Sequence, residues 1–523
     1  MSLLLSAPPP VANIGNDDLG SGPFIALAPM LIVAIGGLLL MLTEVFAKRR
    51  TDTSGPSSDL ALGSFVCLSA GAVVALALWF VGPDKLEGAK SVAPYLIVDR
   101  FTLFFDFVLC LGGGLACLLA GGYLPEHKLD RGEFYPLLVF STVGAMVLAA
   151  AGDLLSLFIG LETMSLGVYA MVGFRRGSMR STEGAVKYFL LGSFAAALLL
   201  YGGALLYGAT GTTELMGIGR AIAEAADGKG ELNWALLLLS MGLMVSGIAF
   251  KVSAVPFHMW TPDAYEGAPT PATSFMAVAV KSAAFAMLLR VLVSSFGDAA
   301  SMSWGTGWPP VLALLAVLTM TVSNLVAGRQ DSVKRMLAYS SIAHAGYVLV
   351  GVVGMVHEGT GAQGSVMFYL LSYTVSTAGA FGALILCGSR GKEAVSYEDL
   401  AGIGKRHPAA ALALSFFLLS LAGVPPTAGF FGKLYIVRAA MGGGLTTLAI
   451  VLLLNSVLAA YYYLRVMVFM YMREPAPGAP IAVPMKSGYV AAALIISAAI
   501  VILLGIWPGT SLRFALDAAI ALR

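Results

Sequence analysis

Four ionisable side chains stand inside otherwise apolar stretches: Glu162 in GDLLSLFIGLETMSLGVYAMVGF, Lys251 in MGLMVSGIAFKVSAVPFHMWTPD, Lys281 in TSFMAVAVKSAAFAM and Lys433 in GVPPTAGFFGKLYI. A charge at the centre of a bilayer costs at least about 2.5 kcal/mol, so residues of this kind mark ion or proton routes. A buried lysine suits a proton relay, because the movement of a nearby charge switches it between holding and releasing a proton. Glu162 has the alternative of a neutral, hydrogen-bonded carboxyl. Lys251 has the alternative of snorkelling to the interface, since its apolar stretch ends at either Val255 or Trp260. Lys281 has no such escape: with Pro271 as the first-turn proline of its helix, ten residues put it about 15 Å deep.

Weaker candidates surround these four. His344, ten residues past Lys334 and close to Ser340, Ser341 and Tyr347, reads either as a proton relay or as a lone hydrogen-bonded imidazole. His258 lies where Pro256 and Pro262 interrupt the helix of Lys251, and there it caps freed carbonyls or passes protons. Lys187 and Lys334 read as interfacial anchors, Lys187 being near enough to Glu162 to modulate it. Arg465 and Glu44 sit near helix ends, and Asp106 is deeper with no assigned role.

The elements that must position these groups are membrane helices. Of 523 residues, 58% are hydrophobic and 11% charged, far from the quarter charged of a soluble protein. Fourteen apolar runs approach the length needed to cross about 30 Å of hydrocarbon, at 25–46, 61–82, 97–121, 134–151, 153–173, 184–208, 234–255, 272–296, 309–327, 335–356, 364–388, 409–438, 446–470 and 487–508. Thirteen or fifteen remain alternative counts. The runs are continuously apolar rather than alternating, so the fold class is an all-α polytopic membrane protein and not a barrel. The longest polar connections, 209–233 and 389–408, leave no room for a soluble domain.

Spans 7 and 12 are broken, the latter by Pro425, Pro426, Gly429 and Gly432. Two broken helices five spans apart point to two inverted five-helix repeats and an ion route; packing kinks are the other reading. The chain then divides into 1–133 (spans 1–3), 134–296 (first half-channel, spans 4–8), 309–470 (second half-channel, spans 9–13) and 471–523 (span 14).

Loops after odd-numbered spans carry Lys48, Arg49, Arg50, Arg175, Arg176, Arg180, Arg329, Lys334, Arg335, Arg390, Lys392, Lys405 and Arg406, which places that face inside and both termini outside. The first 24 residues lack a basic region before their apolar stretch and do not read as a cleaved signal peptide. A net charge of +2 gives no case for nucleic acid. Cys67, Cys110, Cys117 and Cys387 occur singly, without metal-ligand spacing, and no nucleotide or haem motif is present.

At this point the residues meet a known family. FKVSAVPFHMWTPDAYEGAPTPATSFMAVAVK closely resembles the hallmark segment of the antiporter-like subunits of respiratory complex I, and DSVKRMLAYSSIAHAGY and LAGVPPTAGFFGKLYI extend the likeness. It is nearest to the N-type, the counterpart of mitochondrial subunit 2, because of the lysines at 281 and 433 and the lack of a long C-terminal extension. The resemblance implies two inverted half-channels, with Glu162 and Lys251 as the input pair, Lys281 as central relay and Lys433 as output. It implies a lipid bilayer setting in a bacterial inner (plasma) membrane and partners of the L-, M-, K-, J-, A- and H-type. FMN, iron–sulfur clusters and quinone would reside in partner subunits and none in this chain, which would perform no redox catalysis alone. Subunits of multi-subunit cation/proton antiporters and of membrane-bound hydrogenases share the plan and stay open as alternatives, as does a purely structural spacer.

Overall fold

The computed structural model describes residues 21–46, 59–388, 391–475 and 483–522. Lys48, Arg49, Arg50, Arg390 and the stretch before residue 21 lie outside the described residues. Within them the chain is helical, with isolated β-bridges such as Asp153 to Glu214 in place of strands. Apart from the one-turn helices Gly22–Ala26 and Ile403–Arg406, the first six helices are α1 (Ala28–Phe46), α2 (Asp59–Val81), α3 (Arg100–Glu126), α4 (Phe134–Ala150), α5 (Leu154–Val172) and α6 (Met179–Thr210). Next come α7 (Leu215–Ala226), α8 (Trp234–Val252), α9 (Trp260–Gly267), α10 (Thr270–Ser294), α11 (Pro309–Ala327) and α12 (Val333–Glu358). The rest are α13 (Thr360–Cys387), α14 (Pro408–Ala422), α15 (Ala428–Gly442), α16 (Thr446–Met472), α17 (Gly488–Ile506) and α18 (Pro508–Ile520).

Twelve of the described helices are long and apolar enough to cross a membrane. The shorter apolar helices α4 and α14 fall on the expected fourth span and the first part of the twelfth. Helix starts are set by polar caps: Asp99, Asp153 and Ser332 each accept from a backbone N–H of the first turn. One expectation is corrected. The connection 209–233 is not plain loop but carries α7, an amphipathic helix burying Leu215, Ile218 and Ile222; it is too short and too polar on one face to register as an apolar run.

Four helices form the interior. The apolar windows of α10, α12 and α13 are 94% buried and that of α3 is 89% buried, against 28% for α1. Glycine lets α4 and α5 approach: a Cβ on Gly144 would come within 2.3 Å of Met164 N, and one on Gly160 within 2.6 Å of Leu148 N. That contact fixes α5, which carries Glu162, against the body of the protein. The outer faces of α5, α6 and α16 expose Ile159, Leu166, Phe194, Leu454 and Val457, as surfaces meeting lipid or another subunit do.

Both expected interruptions exist. Helix α8 stops at Val252 with Ser253 in the left-handed region (φ 65°), and α14 stops at Ala422 with Gly423 there (φ 87°). Pro262 takes no part in the first break, because it lies in the opening turn of α9, where a proline loses no helical hydrogen bond.

Candidate functional site

The break after α8 frees backbone carbonyls, which accept from Ser253 N, Ala254 N and one side chain. Trp260 Nε1 donates to Phe250 O at 3.1 Å. At the second break the same task falls to a candidate residue itself: Lys433 Nζ donates to Ala422 O at 2.9 Å and to Ser456 Oγ at 2.8 Å. Its ammonium also lies 5.2 Å from the centre of the Tyr347 ring.

Lys251 is 5% exposed and turns inward, so it does not snorkel. Its Nζ donates to Ser165 Oγ at 2.6 Å and lies 5.7 and 5.6 Å from the Tyr169 and Tyr188 ring centres. Trp260 stacks on the other side of this cage, 4.1 Å from the Tyr188 centroid and 6° from parallel. Ser165 follows Glu162 by one helical turn on α5. The Glu162 Oε1 is buried without a hydrogen-bond partner, and the Ser165 hydroxyl that receives Lys251 donates to Leu161 O.

Lys281 is 3% exposed at the end of a π-helical turn, Met276–Val280, inside α10. Turns of this kind recur at functional sites because they displace the side chains that follow. The Lys281 ammonium donates to Ser341 O at 2.7 Å and Ser341 Oγ at 2.6 Å, both on α12. One turn along α12, His344 is 4% exposed, with Nδ1 2.6 Å from the Tyr369 hydroxyl and Nε2 3.2 Å from the Tyr463 hydroxyl. Tyr463 also contacts Ser340 Oγ. Neutral imidazole has one donor and one acceptor nitrogen, so His344 can take a proton on one side and release it on the other.

Beyond His344 lies a network that the sequence did not announce. Asn324 Nδ2 donates to the Tyr347 hydroxyl at 3.0 Å and to Asn455 Oδ1 at 3.2 Å, while the Tyr462 hydroxyl donates to Asn324 Oδ1 at 2.9 Å. Asn455 adjoins Ser456, the Lys433 partner. The structure therefore brings Lys281, Ser341, His344 and Lys433 into one buried polar region on α10, α12, α13, α15 and α16. Glu162 and Lys251 form a separate cluster. Among the described residues no hydrogen bond joins Lys251 to Lys281.

The weaker candidates divide. His258 is half-buried at the first break, its Nδ1 without a partner. Lys187 pairs with Glu183 at 2.6 Å and with Asp263 of α9 at 2.8 Å, rather than with Glu162. Lys334 is no exposed anchor: it is 1% exposed and donates to Ala268 O at 2.7 Å, because α9 and the loop after α13 fold over it. Arg465 stacks on Tyr397 and donates to Gly328 O. Among the described residues no group of three or more His, Cys, Asp or Glu is placed to hold a metal.

Comparison with known proteins gives the lineage. Residues 151–459 match the family described as NADH:quinone oxidoreductase/Mrp antiporter, TM. The chain is 72% identical over 506 residues to NADH-quinone oxidoreductase subunit N 1 of Sorangium cellulosum, covering 96% of this chain and 99% of that one. It is 41% identical to NADH-quinone oxidoreductase subunit N of Myxococcus xanthus, covering 94% of this chain and 96% of that one. A chain of respiratory complex I from Thermus thermophilus is similar with a TM-score of 0.74 and 33% identity, over 93% of this chain and 98% of that one. A chain of the Mrp complex from Dietzia has a TM-score of 0.81 at 22% identity, covering 95% of this chain and 97% of that one, which is a likeness of fold. The chain belongs to the N-subunit family of the NADH-quinone oxidoreductases.

Proposed function

We propose that this proton-translocating subunit of the complex I membrane arm moves protons through Glu162, Lys251, Lys281 and Lys433, with His344 between the last two. The observation that carries this reading is the buried sequence Lys281, Ser341, His344, Tyr369 and Tyr463, Lys433. Every member is a group that can both hold and pass a proton or a hydrogen bond, in a region built almost entirely of apolar side chains.

Lys281, when charged, is held by two Ser341 oxygens. Release of its proton frees Ser341 to reorient, and the hydroxyls of Tyr463 and Tyr369 then pass a proton across His344 by exchanging donor and acceptor roles. Lys433 receives it at the second helix break, where Ala422 O and Ser456 hold the ammonium. The Glu162 and Lys251 cluster, with the Tyr169, Tyr188 and Trp260 cage, loads the first half. Water fills the step from Lys251 to Lys281. His258 and Lys187 act at the margins of that cluster, His258 at the freed backbone and Lys187 through Asp263.

The energy comes from electron transfer between NADH and quinone in partner subunits, which hold the FMN, iron–sulfur clusters and quinone; this chain is a non-redox part of that oxidoreductase. Its partners are the other membrane-arm subunits, and its setting is a bacterial inner membrane with both termini outside. The test is Glu162→Gln and Lys281→Ala in the assembled complex, with quinone reduction and proton uptake measured together in vesicles. Loss of proton uptake with normal assembly supports the route; unchanged uptake leaves the chain a spacer.

A further inference from the structure

A second polar cluster lies on the Lys- and Arg-rich face, outside the series above. The loop between α13 and α14 carries Glu393 back among the helices, where Oε1 accepts from the Tyr123 hydroxyl of α3 and from Thr270 Oγ1 of α10, the latter at 2.7 Å. Lys334 Nζ stands 3.6 Å from that oxygen and Arg175 Nη2 3.8 Å. Arg175 also donates to the Tyr123 hydroxyl at 2.7 Å. One carboxylate thus ties α3, α10, α12 and the loop after α5, and Val333 N donating to Val395 O at 2.6 Å holds its loop in place. Burial works against the charge, yet Lys334, Tyr123 and Arg175 hold the Glu393 carboxyl down at about 2.

Behind this clasp a polar seam leads to Lys281. Ser341 follows Lys334 by seven residues on α12, two turns or about 10 Å along the same face. Tyr265 and Tyr373 both turn towards Ser341. The Ser274 hydroxyl on α10 is buried without a hydrogen-bond partner, and on α13, which packs against α10, the Tyr373 hydroxyl interacts with Ser341 and Thr377. Partnerless buried hydroxyls are where a protein interior holds water. Ser274 is one turn past Thr270, directly inward of the clasp.

We propose that Glu393 closes an entrance on the Lys- and Arg-rich face, from which protons reach Lys281 through the seam of Ser274, Tyr373 and Ser341 without passing Glu162 and Lys251. The proposal rests on Lys281 being a proton carrier. The clasp opens when Glu393 parts from Lys334 and Arg175. Because Thr270 and Ala268 O, which bind Glu393 and Lys334, flank the start of α10, a shift of the α9 and α10 junction breaks both contacts together.

Access can be read without reference to transport. Ser274→Cys in the full complex in membrane vesicles places a thiol behind the clasp, probed with a small cationic methanethiosulfonate added on that face. The four native cysteines supply the background. Labelling is expected to be slow with Glu393 intact and at least tenfold faster with Glu393→Gln, and faster also with Tyr123→Phe, which removes one donor without leaving a charge unpaired. A thiol at Ser141, buried on α4 away from the seam, is expected to label at an unchanged rate. Equal rates at residue 274 with and without Glu393→Gln overturn the proposal, and so does a matching acceleration at residue 141. If Glu393→Gln fails to assemble, Tyr123→Phe carries the same comparison. The result stands whether or not Lys281 carries protons.

Discussion

The Lys433→Met substitution removes an ammonium and keeps an unbranched side chain of similar length, and its cost follows from what the ammonium touches. Two hydrogen bonds of a charged donor are lost, to Ala422 O and Ser456 Oγ, each contributing about 1.5–3 kcal/mol. The contact with the Tyr347 ring adds about 0.5–2 kcal/mol. Against this, an ammonium no longer has to be buried in an apolar span, a relief of about 2.5 kcal/mol or more. The relief offsets only part of the loss, so the complex is expected to assemble with a melting temperature lowered by up to about 10 °C. Transport has no such compensation, since a thioether neither donates nor accepts a proton near neutral pH. Proton uptake per quinone reduced, followed in closed vesicles beside quinone reductase activity, is expected to fall by the whole share this chain carries. Unchanged uptake would refute the assignment of Lys433 to the route, and failure to assemble would show that the lysine is chiefly a cap for the broken helix.

Removal of the Tyr463 hydroxyl by Tyr463→Phe leaves His344 with Tyr369 alone, and proton uptake is expected to slow about tenfold or more, on the scale of lost proton-transfer groups, with assembly unchanged. Tyr188→Leu removes both a ring beside Lys251 and the surface on which Trp260 stacks; Tyr188→Phe keeps both, so only the leucine variant should impair uptake. In the loop after α3, burial and the neighbouring Glu44 push the Asp130 carboxyl up to about 6. A raised carboxyl pKa means that the folded state holds the proton more tightly, so stability is greatest below the unfolded value and is lost as pH rises through about 6. Asp130→Asn is therefore expected to raise the melting temperature at pH 8 and to change it little at pH 4; an equal effect at both would contradict this.

The broad design was legible because its signals are local. Apolar runs announce helices, Pro256 and the Pro425–Pro426 pair announce breaks, and Pro271 announces the first turn of the helix that carries Lys281. What escaped depends on residues distant in the chain. Lys334 read as an anchor because its neighbours in sequence are interfacial, whereas its partner Glu393 arrives from 59 positions away. Tyr369, Tyr463, Asn324 and Asn455 carry much of the polar network, yet a tyrosine or asparagine in a long apolar helix looks like any core residue until its hydroxyl or amide is seen to meet another. Lys187 lies more than two turns into α6, which starts at Met179 rather than near residue 184, and Asp263 of the short helix α9 captures it. Ser165, a small polar residue one turn from Glu162, gives no signal in the sequence, and only the fold shows its hydroxyl accepting from Lys251.

Helix breaks and lysines occur together for a physical reason. A break frees carbonyls that must be satisfied inside the membrane. At the second break the lysine does this itself, and at the first Trp260 does it while stacking on Tyr188, one of the two rings that face Lys251. Each ammonium is thereby held where small movements of the two half-helices change its partners, which is the property a relay needs.

Lys281, at 3% exposure the most buried of the four candidate ionisable residues, is the group on which the route depends. In vesicles bearing the assembled complex with Lys281→Ala, protons taken up per quinone reduced should drop by this chain's full contribution while the complex remains intact. Proton uptake equal to that of the unmodified complex, at equal quinone turnover, would contradict the account.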